Sequence, residues 1–392
     1  MEKPLSDIKV LDMTHVWFGP WCTMMLADLG AEVIKIEPPW GGLGRIPQGG
    51  EMYGGASSTY HHLNLNKKAM AINLKTEEGI NLFKELVKIA DVVVQNFAPG
   101  TMEKMGLGYD VLKELNPGII YAALSGFGQT GPYSTRASYA VISEALAGQT
   151  MSQGASVDPN GPPKSMTGAF GDLAPGTMAS MSIIAALRYR DKTGIGQMVD
   201  VAQADCMFAY NTGSTSFLLS GKDEVTRRKE QEERRKKTGG GMMRIGGILE
   251  VKGGHIHLAG WRPKGIEKLK KVMGVEEIDP EAVKEHIKTM DKYEAADFFA
   301  EVGLPVAPIL WASEACSNEH LLARNMVVEI EHPKMGKYKA VNFPVKFSET
   351  PINVESYAPL LGEHNEQVLV DYLGYTPEKV DELLKKGVIA KM

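Results

Sequence analysis

The segment TGAFGDLAPGTMASMSIIAAL, residues 167–187, places a single carboxylate, Asp172, directly after Gly171 and ahead of a long apolar run. Two roles fit an acidic residue at this position. Asp is a favoured N-cap because its oxygens accept hydrogen bonds from unpaired backbone N–H groups, and Pro175 is tolerated in a first helical turn. A carboxylate can also act as a nucleophile toward an activated acyl group. The pattern predicts a helix over 173–187 and leaves both roles open.

A second feature with chemical potential is the run Gly239, Gly240 and Gly241, which ends the mixed-charge stretch TRRKEQEERRKKTGGG. Interspersed charges of both signs are typical of a solvated helix or a linker. Three consecutive glycines give a backbone that is free to move and to approach a ligand closely. The three glycines could therefore have a function that the charged residues before them do not share.

The elements that would position these groups alternate between strand-like and helix-like patterns in the first third of the chain. Short apolar runs predict strands, and stretches with helical spacing and a capping threonine predict the helices between them. Such alternation is typical of a parallel, Rossmann-like sheet, and therefore of an α/β fold. The predicted strands are 8–14, 31–37, 70–74, 91–97 and 119–128, with helices over 20–30, 76–90 and 99–116.

A ligand crevice is expected at one edge of this sheet, because ligands bind outside the carboxyl ends of parallel strands. Thr14, His15 and Val16 follow the first strand, and Asn96 and Phe97 follow the fourth. No G-x-G-x-x-G follows the first strand, where the sequence reads THVWFGP. The prediction of a binding site for a nicotinamide or flavin dinucleotide therefore lacks its main support.

Composition bounds the class of protein. The 392 residues are 43% hydrophobic and 23% charged, with a formal net charge of −5 that gives no support for a nucleic-acid partner. The three cysteines are far apart, which fits a reducing compartment. We see no uninterrupted apolar stretch long enough for a membrane span and no apolar signal core at the N-terminus. We expect a cytoplasmic protein with no membrane or nucleic-acid partner.

Six short segments follow one another along most of the chain. They are THVWFGPWCTMMLADLGAEVIKIE, the strand ending in NF with the following PG and KMGLGY, LNPGIIYAALSGFGQTGP, GDLAPG, RYRDKTGIGQ, and MVVEIEHP with PLLGEH. Together they resemble the family III CoA-transferases, the group of formyl-CoA and carnitine CoA-transferases. The resemblance is weakest between about 215 and 300.

The resemblance implies an interlocked homodimer, in which two ring-like chains thread through each other. It also implies a large Rossmann-like domain built from both termini and a smaller inserted α+β domain. The expected division is 1–215 for the first part of the large domain, 216–325 for the small domain with its linkers, and 326–392 for the return to the large domain.

The resemblance further implies that Asp172 is the nucleophile. Its attack on an acyl-CoA donor gives a mixed anhydride and CoA thiolate, the thiolate returns to form an aspartyl-CoA thioester, and a carboxylic acid acceptor reverses the sequence. Backbone N–H groups at the start of the 173–187 helix would stabilise the oxyanions. Gly240 and Gly241, with Gly239, would form a lid that keeps water out. Coenzyme A enters as a substrate ester, and no metal is expected.

Carried over position by position, the family's CoA contacts fall on His15, Val16, Lys75, Asn96, Phe97, Lys104 and Met105. Without the resemblance, His15 fits a structural histidine equally well, and the lysines fit solvated surface positions. Tyr139 falls where the family places an active-site tyrosine, and would otherwise be an ordinary core residue.

The sequence departs from the formyl-CoA branch of the family at two positions. Trp17 stands beside the acyl pocket where that branch has glutamine. Pro38 stands where that branch has an arginine, whose place Arg45 could take. Both departures count against formate and oxalate as substrates.

Three other functions remain open at this point. The α-methylacyl-CoA racemases use a His/Asp pair, and Tyr139, at about the place of their histidine, is a poor base near neutral pH. A CoA isomerase that moves CoA within one substrate would use the same Asp172. A non-catalytic CoA-binding or scaffold protein would need Asp172 only as a cap, and the Gly-Asp pair with the glycine run counts against it.

Two histidine clusters are less promising as sites. The HIH triplet at 255–257 fits the surface of a predicted hairpin better than a zinc site, because no third ligand follows. His61 and His62 lie in a polar stretch, SSTYHHLNLNKK, that we interpret as a loop.

Overall fold

The computed structural model describes residues 2–47, 50–158, 161–237, 246–260 and 262–391. Contacts divide the chain into two units. The large unit is Met1–Thr215 with Asn325–Met392, and the small unit is Ser216–Arg324.

Strands and helices alternate in the first part of the described chain, and groups of consecutive helices occur further along. The strands are β1 (Lys9–Asp12), β2 (Glu32–Glu37), β3 (Met52–Tyr53), β4 (Ala56–Ser57), β5 (Lys68–Ala71), β6 (Val92–Gln95), β7 (Ile120–Ser125), β8 (Met198–Ala202), β9 (Gly246–Val251), β10 (Gly254–Ala259), β11 (Val306–Pro308), β12 (Val327–His332) and β13 (Gly336–Val341). The helices are α1 (Phe18–Asp28), α2 (Ser58–Leu63), α3 (Glu77–Val87), α4 (Thr101–Lys104), α5 (Tyr109–Leu115), α6 (Ala140–Leu146), α7 (Gln149–Val157), α8 (Phe170–Thr193), α9 (Gln203–Ala209), α10 (Thr212–Ser220), α11 (Glu224–Lys237), α12 (Pro263–Met273), α13 (Pro280–Ile287), α14 (Lys292–Glu301), α15 (Ala312–Ala315), α16 (Glu319–Ala323), α17 (Asn365–Leu373) and α18 (Pro377–Lys385), with a 3₁₀ turn at Leu43–Arg45.

A parallel sheet with the order β5-β2-β1-β6-β7-β8 forms the centre of the large unit. Counted among themselves in chain order, these strands run 3-2-1-4-5-6, which is the order of Rossmann-type sheets. The order reverses between β1 and β6, whose register pairs Val10 with Val92. The predicted α/β fold with a parallel sheet is therefore confirmed, and the reversal marks the crevice where such sheets bind ligands.

Helices cover both faces of the sheet because neighbouring residues of each strand point to opposite sides. Leu11 and Val93 face a buried cluster formed with side chains of α3, α5, α17 and α18. Val10 and Val92 face a second cluster formed with side chains of α1 and α8. Each fully buried aliphatic or phenyl side chain contributes about 1.5–3 kcal/mol. The continuous apolar strands are thus explained by burial on two sides.

The small unit has its own sheet and its own core. Its antiparallel sheet has the order β11-β10-β9. Leu249, Ile256, Leu258 and Phe299 are buried together with side chains of α12, α13 and α14. The predicted hairpin is confirmed, and the two histidines of the HIH triplet are exposed on one face of β10.

The helix that carries Asp172 is longer than predicted. It spans Phe170–Thr193, begins after Ala169 in the left-handed conformation (φ 53°), and ends at Gly194 (φ 74°). By length and composition alone it could cross a membrane, contrary to our expectation from the sequence. In the structure, side chains from Ala179 to Leu187 pack with α1 against the sheet. The helix therefore forms part of the large unit's core.

The polar stretch around His61 and His62 is a helix, so its interpretation as a loop is wrong. The Ser57 hydroxyl accepts a hydrogen bond from the Tyr60 N–H and caps α2. A serine cap before a short helix is the signal that the sequence analysis overlooked.

Candidate active site

Two loops meet at the point where the strand order reverses. The His15 N–H donates to Asn96 Oδ1 at 2.9 Å, and Asn96 Nδ2 donates to the His15 carbonyl at 2.9 Å. The rings of His15 and Phe97 lie 5.5 Å apart. The predicted proximity of the segments after β1 and β6 is therefore confirmed. The Asn96 amide fixes the geometry of the loop that leads into α1.

The loop from β1 to α1 adopts a strained conformation. Val16 has φ 67°, in the left-handed region that a β-branched residue rarely adopts. Such a residue costs on the order of 1–3 kcal/mol and persists only where its surroundings enforce it. Here the Thr14 N–H and hydroxyl donate to Asp12 Oδ1, and Gly19 leaves room for Thr14. A Cβ on Gly19 would lie 2.3 Å from Thr14 Cβ.

A buried charge cluster lies behind this loop. Asp12, which is fully buried, accepts from Lys67 Nζ at 3.0 Å, and Lys35 Nζ donates to the Thr14 carbonyl at 2.9 Å. Burial lowers the pKa of Lys67 to about 8. Burial and the nearby Lys35 charge also lower the pKa of His15. Both effects favour the neutral imidazole of His15.

Asp172 lies in the first turn of α8 and lines a cavity of about 100 Å³. Gln203 Nε2 donates to Asp172 Oδ1 at 2.5 Å. The cavity brings together six of the residues predicted from the sequence, which are His15, Val16, Trp17, Asn96, Tyr139 and Asp172.

The environment of Asp172 favours the protonated carboxyl group. Burial raises its pKa to about 7, the Gln203 hydrogen bond acts in the opposite direction, and the Glu144 charge raises it further. Glu144 is buried, and its Oε1 accepts the Gly171 N–H at 2.9 Å. A Cβ at Gly171 would lie 2.8 Å from the Ala140 carbonyl oxygen and 2.9 Å from Glu144 Oε1. Glycine is therefore required for α8 to approach Glu144 this closely.

Asp172 is not the N-cap of α8, a role that the sequence left open. The N-cap position is Ala169, three residues earlier, and the described partner of the Asp172 carboxylate is Gln203. The expectation that the first N–H groups of the helix serve as oxyanion donors is wrong. The Gly171 N–H donates to Glu144, and the N–H groups of Asp172 and Leu173 both donate to the Ala169 carbonyl.

A second cavity, of about 500 Å³, opens beside the loops after β1 and β2. Phe97 lines it, and His15 and Val16 line both cavities. Trp40 stands at its exposed side, with Lys75 Nζ 4.7 Å from the indole centroid. The larger cavity is therefore lined by the charged residues Lys35 and Glu37 as well as by apolar residues, and Lys75 lies at the indole of Trp40.

Three of the predicted residues fall outside these two cavities. Lys75 contacts Trp40 rather than lining the larger cavity, and Lys104 is exposed. Met105 packs against the core under α3 and α5. The glycines Gly239, Gly240 and Gly241 lie outside the described residues.

Arg45 does not take the place of the missing arginine. Its guanidinium is buried and donates to Glu37 at 2.7 Å, to the Tyr60 hydroxyl at 2.5 Å, and to the Pro359 carbonyl at 3.0 Å. The structure gives no support to the suggestion that Arg45 serves CoA phosphates, because Arg45 is buried, is bound to Glu37 and lines neither cavity.

Tyr139 is not a core residue, which was the alternative to an active-site role. It is 71% exposed and lines the Asp172 cavity. Sequence reasoning missed Gln203 and Glu144. Gln203 directly follows β8, so the rule that ligands gather at the carboxyl ends of strands could have indicated it.

Comparisons with known proteins agree with this architecture. The model of the family "CoA-transferase family III" matches residues 5–365. The chain is 33% identical to the formyl-CoA:oxalate CoA-transferase of Streptomyces coelicolor, over 99% of each chain. It is 34% identical to the succinyl-CoA–D-citramalate CoA-transferase of Chloroflexus aurantiacus, over 99% of this chain and 98% of that one. A crystal structure of a CAIB/BAIF family protein from Brucella suis matches with a TM-score of 0.79 at 27% identity, over 95% of this chain and 100% of that one.

Proposed function

The chain belongs to CoA-transferase family III, and we propose that it moves CoA from an acyl-CoA thioester to a carboxylic acid through covalent intermediates on Asp172. Membership makes the chain a CoA-transferase; the role of Asp172 is the proposed part. The observation that carries it is a half-buried carboxylate in a small cavity, held by Gln203 at 2.5 Å.

The proposed reaction conserves the energy of the thioester. The ionised Asp172 attacks the acyl carbon of the donor, the carbon–sulfur bond breaks, and CoA leaves as thiolate from a mixed anhydride. The thiolate attacks the aspartyl carbonyl carbon, the donor acid departs as carboxylate, and an aspartyl-CoA thioester remains. An acceptor carboxylate then attacks the same carbon and expels thiolate, which attacks the acceptor's acyl carbon and regenerates Asp172. A pKa of about 7 leaves much of Asp172 ionised at neutral pH.

We propose that the larger cavity holds the nucleotide end of CoA while the smaller one holds the thioester. His15 and Val16 line both cavities, so a ligand that passes this loop would reach from one to the other. Trp40 offers an indole face for the adenine, and Lys75 offers a cation beside it. The assignments of Lys104 and Met105 to CoA remain predictions.

The acyl substrates are proposed to be carboxylates other than formate or oxalate. The relative from Streptomyces coelicolor is named for formyl-CoA and oxalate, and that from Chloroflexus aurantiacus for succinyl-CoA and D-citramalate. In this chain the indole of Trp17 lines the Asp172 cavity, where we expect it to reshape the space for the acyl group.

We further propose that the chain forms a homodimer, as the resemblance implies. Exposed apolar side chains gather on α6, α7, α8 and α9, which pack on one another. Exposed apolar patches are typical of interfaces. These side chains are Val141, Ile142, Leu146, Met151, Met181 and Phe208.

The separate core of the small unit supports an inserted α+β domain at 216–325. A cytoplasmic location, without membrane or nucleic-acid partners, stays a prediction.

The proposed function is tested with succinyl-CoA, acetyl-CoA or butyrobetainyl-CoA as donor and a mixed panel of carboxylates as acceptors. Mass spectrometry of the CoA esters should detect a new ester with the wild type. Asp172→Ala should form none while its circular dichroism and its elution on gel filtration stay unchanged. Transfer that survives in Asp172→Ala would refute the role of Asp172 as the nucleophile.

Two other outcomes would favour the alternative functions. Exchange of the α-proton in deuterated water without a change of CoA carrier would favour a racemase. Tight CoA binding with neither reaction would favour a scaffold.

A further inference from the structure

Gln203 is held in one orientation beside Asp172. It is 4% exposed and opens α9 directly after β8, where the Ala204 N–H donates to the Gly126 carbonyl at 3.0 Å. On one side its Nε2 donates to Asp172 Oδ1 at 2.5 Å. On the other side its Oε1 lies 3.5 Å from the buried Ser143 hydroxyl, which also lies 3.0 Å from the Ser138 hydroxyl. Because an ionised carboxylate only accepts hydrogen bonds, the amide points its N–H at Asp172.

This contact makes the two oxygens of Asp172 different. Within the described part of the chain, the hydrogen bond from Gln203 to Oδ1 is the one found at the carboxylate. We propose that Gln203 is a catalytic residue, which holds Oδ1 so that Oδ2 attacks the donor and which then stabilises the oxyanion that forms on Oδ1. This inference rests on the proposed function, because it assigns a partner to the covalent chemistry at Asp172.

The same oxygen carries charge in each step at the aspartyl carbon. When Oδ2 forms the bond to the donor acyl group, Oδ1 becomes the carbonyl oxygen of the anhydride. Attack of CoA thiolate on that carbon places a full negative charge on Oδ1. The electron pair on Oδ1 then re-forms the carbonyl bond as the bond to Oδ2 breaks, and the donor acid leaves as a carboxylate that carries Oδ2 and the charge. Attack by the acceptor on the thioester charges Oδ1 again, before thiolate departs. A donor already placed at Oδ1 needs no rearrangement at either step.

Three backbone N–H groups at the start of α8 offer no substitute for Gln203. The N–H groups of Gly171, Asp172 and Leu173 already donate to Glu144 or to the Ala169 carbonyl. The Gln203 side chain is therefore the described donor that reaches the aspartyl oxygen. Removing one donor from an oxyanion site commonly slows catalysis by about 10²–10³-fold.

The test compares Gln203→Met, which keeps the length of the side chain and removes the N–H, with Gln149→Met as the matched control. Gln149 Nε2 donates to the Met207 carbonyl at 3.1 Å in the same unit, and Gln149 lines neither cavity. Each protein is mixed with an acyl-CoA alone, quenched over a time course, and its CoA adduct is quantified by intact mass. Gln203→Leu replaces Gln203→Met if the latter fails to fold by circular dichroism.

We expect Gln203→Met to form the adduct about 100-fold more slowly than Gln149→Met. The acid limb of its pH–rate profile should also move to higher pH, because the amide N–H stabilises the ionised Asp172. A rate within tenfold of the control, or a slower rate with an unshifted acid limb, would overturn the role of Gln203 and leave that of Asp172 intact. Absence of any adduct in the wild type would overturn the proposed function itself.

Discussion

Replacing Asp172 by Asn should stabilise the protein, and the gain should grow with pH. Folding raises the pKa of Asp172 from 3.8 to about 7, so the folded chain favours the protonated carboxyl more than the unfolded chain does. Ionising the buried group therefore costs stability, and the cost appears progressively as the pH rises from about 4 to about 7. The full shift corresponds to about 4 kcal/mol as an upper limit, of which about 2–3 kcal/mol develops between pH 5 and pH 8.

The assay is urea unfolding of the wild type and of Asp172→Asn at both pH values. The quantity of interest is the change with pH in the difference between their unfolding free energies, because pH-independent effects of the asparagine cancel. Asp28, whose pKa burial also raises to about 7, is common to both proteins and cancels as well. Asp205→Asn, at an exposed position of α9, controls for the loss of one charge. A difference that stays constant, or that shrinks as the pH rises, would refute the account of Asp172.

Three further predictions concern the same site. In the wild type, kcat/KM for the acyl-CoA donor should rise with pH through about 7, because the ionised Asp172 attacks; initial rates that stay level from pH 5.5 to 8.5 would contradict this. Glu144→Gln removes the charge that raises the pKa of Asp172, so the acid limb of that profile should move to lower pH, and an unmoved limb would count against the coupling. Gly171→Ala should lower the free energy of unfolding in urea by about 1–3 kcal/mol, since its Cβ would lie 2.8 Å from the Ala140 carbonyl oxygen. Gly118→Ala, where a Cβ meets its nearest atom at 3.5 Å, is the control, and equal losses in the two variants would contradict the steric argument.

Much of the large unit could be predicted from the sequence, because its signals are local. Apolar runs predicted five of the parallel strands. The helix after β5 is capped by Thr76, whose hydroxyl accepts the Gly79 N–H as expected. The contact between the segments that carry His15 and Asn96 could also be predicted, because the carboxyl ends of adjacent parallel strands lie together.

The surroundings of Asp172 could not be predicted in the same way, because distant segments create them. Gln203 lies 31 residues from Asp172 in the chain, and Glu144 lies 27 residues from Gly171. The helix start at Ala169 depends on an alanine with φ 53°, a conformation with no sequence signal of its own. The surroundings of Arg45 could not be predicted from the sequence, because its buried partner Glu37 becomes evident only in the folded chain.

The most direct test of the central claim is the mass of the polypeptide during turnover. The protein is mixed with an acyl-CoA donor, quenched with acid, and analysed as the intact chain and as peptides. We predict that the chain gains the mass of CoA, that the addition maps to Asp172 within 167–187, and that a carboxylate acceptor discharges it. A polypeptide that never carries CoA, or that carries it on another residue, would contradict the account.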